Sequence, residues 1–126
     1  MNYKNLFDFL KKQESILVLL LILISILTLI LFSEKPIYLL VINIVILVLY
    51  FLLSNRPDKL IVAIAALNFA FWGVILESFI IQKTNFALQY KENMGVLYVP
   101  AWLFTIYVIF LISAIFTYDS IKALLK

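Results

Sequence analysis

Polar residues interrupt the apolar sequence at only a few places. The interruptions leave four long hydrophobic runs: Ile16–Phe32, Ile37–Leu53, Leu60–Ile81 and about 97–116. The first run has 17 residues. At a rise of ~1.5 Å per residue it covers about 25 Å, the low end of what crosses a hydrocarbon layer. Ser33-Glu34-Lys35-Pro36 reads as a tight turn with Pro36 opening the second helix. Ser54-Asn55-Arg56-Pro57-Asp58 closes that helix, because the residue before a proline is pushed out of helical geometry, and Asp58 can cap the third helix. Gln82–Gly95 is the longest segment between runs. The pattern predicts an all-α fold, an integral membrane four-helix bundle forming a single domain over residues 1–126. Within the first run only Ser25 and Thr28 mark an inward face, and Asn43 is the conspicuous polar residue of the second.

The third run is expected to be the helix the others pack around. It carries Glu77, the one formal charge inside any of the four runs. On a helical wheel Ala66, Ala70, Gly73 and Glu77 fall within about 40° of one line. Small residues in that arrangement let another helix approach closely in lipid, where packing drives association. A carboxylate facing acyl chains costs several kcal/mol, so the small stripe and the acid are both expected to face protein. Asn68 and Trp72 lie on roughly the opposite side, which implies protein on more than one face of this helix.

Ahead of the runs, residues 1–14 place Tyr3, Leu6, Phe7 and Leu10 at helical spacing with Lys4, Asp8, Lys11 and Lys12 between them. That pattern suits an amino-terminal helix lying in the membrane interface. The first run exceeds the length of a secretory leader's apolar region, and Phe32-Ser33-Glu34-Lys35 offers no small-x-small cleavage site.

Composition sharpens this picture. Apolar residues make up 66% of the chain and charged ones 13%, against roughly a quarter charged in soluble domains. The chain has no cysteine and no histidine, which removes disulfides, thiolate nucleophiles and the commonest general base and zinc ligand. The net charge of +3 forms no basic stripe of the kind nucleic acid requires. Lys4, Lys11, Lys12, Arg56, Lys59, Lys122 and Lys126 fall on one side of the predicted topology, against Lys35, Lys83 and Lys91 on the other. The positive-inside bias therefore places both termini in the cytoplasm of a multi-pass cell-membrane protein.

Depth along the helices brings Glu77, Asn43, Thr28 and Thr105 to similar levels, so they are the candidates for a small polar pocket capped by Trp102. In one reading Glu77 is a protonation or cation site there, because burial disfavours its charged form. In the other it fixes helix register through a hydrogen bond, as Asn43, Asn68 and Tyr107 are expected to do between helices. Neither a second acid in the third run nor a glycine-rich phosphate loop accompanies Glu77, since Gly73 and Gly95 are the only glycines. The sequence offers no catalytic set, metal site or cofactor motif, so an enzyme is the less favoured reading.

Length and span number invite comparison with small multidrug-resistance transporters, built as dimers around a membrane glutamate. That family carries its acid in the first helix, whereas here it is in the third. Fluoride channels share the size but not the glycine content. The stretch from Glu77 through Tyr90 to Gly95-Val96-Leu97-Tyr98-Val99-Pro100-Ala101-Trp102 resembles an acid, tyrosine, glycine-valine-proline-tryptophan order in small uncharacterised multi-pass membrane proteins of prokaryotes, some grouped with carotenoid-pathway proteins. Leu97 and Tyr98 depart from that order. The resemblance implies a multi-pass fold and no particular activity. Two functions are expected from the residues. One is a structural or accessory subunit packing through span three against itself or a larger membrane-protein partner. The other is a homodimeric proton-coupled transporter using Glu77. Membrane lipids are expected to surround either, and nucleic acid neither.

Overall fold

The computed structural model describes residues 1–84 and 101–126. It is all-helical: α1 (Tyr3–Leu10), α2 (Gln13–Leu31), α3 (Pro36–Leu53), α4 (Lys59–Thr84) and α5 (Ala101–Leu125). The last four are long and apolar enough to cross a membrane. Pro36 occupies the first turn of α3, where its missing N–H costs nothing. Tyr98, Tyr90 and the other residues of the resemblance between 85 and 100 lie outside the described residues, as does the expected start of the fourth span.

The burial pattern is inverted relative to a protein folded in water. Ser15, Ser25, Thr28, Asn43, Ser54, Ser78 and Thr105 are buried, while Leu31, Leu52, Leu60 and many other aliphatic side chains are exposed. Water would penalise such a surface heavily, whereas hydrocarbon accepts it and penalises unpaired polar groups instead. Within their spans, α2 and α3 turn Ser25, Thr28 and Asn43 inward. On α2 the buried line is Ser15, Val18, Leu21, Ser25 and Thr28, which follows helical spacing. On α3 it is Leu39, Asn43, Leu47 and Tyr50.

The hub is α5, which packs against α1, α2, α3 and α4. This corrects the expectation that the third run is central. The extensive contact of α4 is with α5 alone, which places α4 at the rim of the bundle. The small stripe chooses that neighbour. Ala66 and Ala70 are both 0% exposed and share a cluster with Val108, Ile109 and Ile112 of α5. A Cβ built on Gly73 would lie 3.1 Å from the Tyr107 ring, so the missing side chain makes room for that ring. The stripe is thus filled within the chain and is not open to a partner. Asn68 and Trp72, on the other side of α4, are exposed.

Both termini lie at one end of the bundle. The Asn2 N–H donates to the Leu124 carbonyl at 2.6 Å, which clips the start of α1 to the last turn of α5. Asn2 also caps α1 by accepting from the Asn5 N–H at 3.1 Å. Phe9 stacks on Phe116 with ring centroids 5.7 Å apart. Ser15 donates to the Phe9 carbonyl at 2.6 Å, joining the end of α1 to the start of α2.

Because Ala70 has no free space around it, Ala70→Leu should force α4 and α5 apart at a cost of about 1–3 kcal/mol. Phe71→Leu on the exposed side should change stability by no more than about 0.5 kcal/mol. Reversible unfolding in detergent micelles measures both, and equal effects would contradict the packing described.

Candidate functional site

Three polar assemblies link the helices, and they differ in depth and composition. The first joins α4 to α5. Tyr107 donates its phenolic hydrogen to Glu77 Oε2 at 2.6 Å. Gly73 lies one turn before Glu77 on the same line of α4, so the Tyr107 ring rests over the glycine while its hydroxyl reaches the acid. Phe69 and Phe110 hold the ring edge-on, at centroid distances of 6.0 and 6.3 Å. The carboxyl group of Glu77 is half-buried, and Tyr107 gives it a donor inside the bundle.

The second assembly joins α3 to α5. Asn43, 0% exposed, donates through Nδ2 to Thr105 Oγ1 at 2.9 Å, and Thr105 passes its own hydrogen to the Trp102 carbonyl. Asn43 Oδ1 is buried with no hydrogen-bond partner, which leaves one lone acceptor in the core. Asn43, Thr105 and Trp102 therefore come together through these bonds. Thr28 does not join them: its hydroxyl bonds back to the Ile24 carbonyl at 2.7 Å, one turn down its own helix. Glu77 takes Tyr107 as its donor, and no hydrogen bond joins it to Asn43.

The third assembly, at the end holding the termini, was not anticipated from the sequence. Glu14 in the first turn of α2 accepts from Tyr50 at 2.6 Å and from Ser54 at 2.7 Å. Arg56, in the link between α3 and α4, pairs with Asp58 and reaches Asp119 of α5 at 3.0 Å. Partial burial acts against the Arg56 charge, but its hydrogen bonds and charge attraction to Asp58 and Asp119 prevail, and its pKa is raised. The network surrounds a cavity of about 50 Å³ whose walls include Glu14, Tyr50, Arg56, Asp119, Val62 and Phe116. One line of contacts here ties α2, α3, the link after α3 and α5. The sequence signal was present: Glu14 sits one residue before the buried Ser15, in phase with the inward line of α2.

These assemblies can hold helices in register and, at Glu77, hold a proton between a carboxyl group and a phenol. Among the described residues no group of three acidic side chains is placed to hold a metal ion. Comparison of the chain with protein-family models, with curated proteins and with solved structures gives no match.

The lone acceptor on Asn43 sets an unusual order of stabilities. Thr105→Val should cost about 1–3 kcal/mol, because it strands the Asn43 amide as well as losing the bond. Adding Asn43→Leu removes both stranded groups, so the double variant should be more stable than Thr105→Val alone. Unfolding midpoints of Thr105→Val and the double variant test this, and a double variant no more stable than Thr105→Val would refute it.

Proposed function

We propose that this chain is a small polytopic protein of the cell membrane that serves as a structural or accessory subunit. Its third span, α4, keeps an exposed face, carrying Ile61, Asn68 and Trp72, for a neighbour. The observation that carries this reading is the pairing of Glu77 with Tyr107 at 2.6 Å beside Gly73. An acid engaged in an interhelical bond over a glycine notch fixes how α4 sits on α5. Both termini are cytoplasmic in this reading, supported by seven lysines and arginines on their side against three on the other. The Glu14–Arg56–Asp119 network then faces the cytoplasm. The helix α1 lies along that interface, with Tyr3 and Phe7 exposed beside Lys4 and Lys11. The resemblance of residues 77–102 to small multi-pass proteins of prokaryotes accords with this placement and adds no activity.

A second reading, a small proton-coupled transporter, draws on the half-buried position of Glu77 and the phenol that shares its hydrogen. One substitution separates the two. Glu77→Gln keeps an acceptor for Tyr107 and removes the exchangeable proton. A structural subunit should reach normal abundance and retain its thermal stability, with no change in vesicle pH. A carrier should lose pH-dependent uptake of a cationic dye in reconstituted vesicles while still folding. Loss of uptake with normal folding would displace the accessory reading.

A further inference from the structure

The side of α4 turned away from α5 carries a regular seam. Ile61, Ala65, Asn68, Trp72 and Ile75 succeed one another at alternating spacings of four and three residues, the repeat of a left-handed coiled coil. Ile61 and Trp72 are 69% and 60% exposed, Ala65 and Asn68 are exposed, and Ile75 is half-buried. Asn68 sits about 14 Å along the helix from Lys59, in the middle of the span. Its side chain makes no hydrogen bond among the described residues. Hydrocarbon offers a carboxamide neither donor nor acceptor, so an amide at this depth is costly until another polar group meets it.

We propose that α4 packs along this seam against α4 of a second copy of the chain, in a parallel two-fold dimer with Asn68 hydrogen-bonded to the partner's Asn68. Three features select a second copy as the occupant. A carboxamide carries both a donor and an acceptor, so it complements itself. Copies inserted in one orientation and related by an axis along the membrane normal place each residue opposite its own counterpart at the same depth. Ala65, one turn from Asn68, leaves the room that close helix approach in lipid requires. A single Asn in an otherwise apolar seam is also the arrangement that fixes register and favours two strands. The rim position of α4 keeps this side clear of the other described helices. The inference names the partner of the accessory reading above and rests on its membrane insertion in one orientation.

The chain has no cysteine, so single introduced thiols report contacts without background. Ile61→Cys, Ala65→Cys and Trp72→Cys should each give oxidative dimers in native membranes, whereas the exposed but off-seam Leu67→Cys should not. Adding Asn68→Leu to Ala65→Cys should lower the dimer yield about tenfold, while Asn68→Gln should largely preserve it. Equal cross-linking at Leu67 and the seam positions would overturn the proposal, as would an adduct with the mass of a different protein. In a monomer, seam thiols labelled by a lipid-soluble maleimide far less than Leu67→Cys at similar depth would also overturn it, by showing that the chain covers this face itself. Carbonate extraction keeps the two failures apart: a chain released from membranes defeats the membrane reading, and a retained monomer defeats the dimer alone.

Discussion

The attachment of α4 depends on one aromatic side chain meeting two features of its surface. Tyr107 needs a gap for its ring and an acceptor for its hydroxyl, and α4 supplies both one turn apart in Gly73 and Glu77. A larger residue at 73 would lift the ring and carry the hydroxyl away from the acid. Without the acid, the hydroxyl would be held against the helix with no acceptor from it. Ala66 and Ala70 extend the same close approach toward the other end of the span, where they meet Val108, Ile109 and Ile112. Among the described residues, dispersion along this line and the Tyr107–Glu77 hydrogen bond hold α4 to α5, the kind of contact that serves where lipid supplies no hydrophobic drive between spans.

Polar groups are distributed so that three of the interhelical surfaces each have their own tie. Asn43–Thr105 joins α3 to α5 away from the termini, Glu77–Tyr107 joins α4 to α5, and Glu14 with Tyr50 and Ser54 joins α2 to α3. Arg56 adds the link before α4 to the end of α5 through Asp119. The interior between these ties is aliphatic, with Val18, Leu21, Leu47 and Ile112 in its centre. Apolar packing in lipid discriminates weakly between rotations of a smooth helix, and a hydrogen bond discriminates sharply. Register in this bundle is therefore set by a handful of polar atoms.

Prolines, charges and hydrophobic run length act locally, and Pro36 opens α3 as its place after Ser33-Glu34-Lys35 suggested. Ser25 and Thr28 pointed inward on α2 as their spacing suggested, and the depth of Asn43 and Thr105 along their helices came from helical rise. Rotation about the helix axis was harder to read. The spans are apolar nearly all round, so nothing in the sequence showed that Thr28 would turn to its own backbone or that α5 would be the hub. The small stripe on α4 drew attention to the wrong helix of the pair: small residues mark the surface that is approached, and the helix that approaches carries bulk. Glu14 escaped notice because it lies just outside the apolar run, although one further turn of α2 includes it.

That the hub is α5 has a consequence for how the chain is made. Synthesis delivers the segments in order, and the one that touches the other four emerges from the ribosome after them. Until it arrives, α4 lacks its main neighbour, Asn43 has no Thr105, and Arg56 has only one of its two carboxylates. The earlier segments, long and apolar enough to cross a membrane, then lack these contacts until α5 is made. Any stop codon before Thr105 would make that lack permanent.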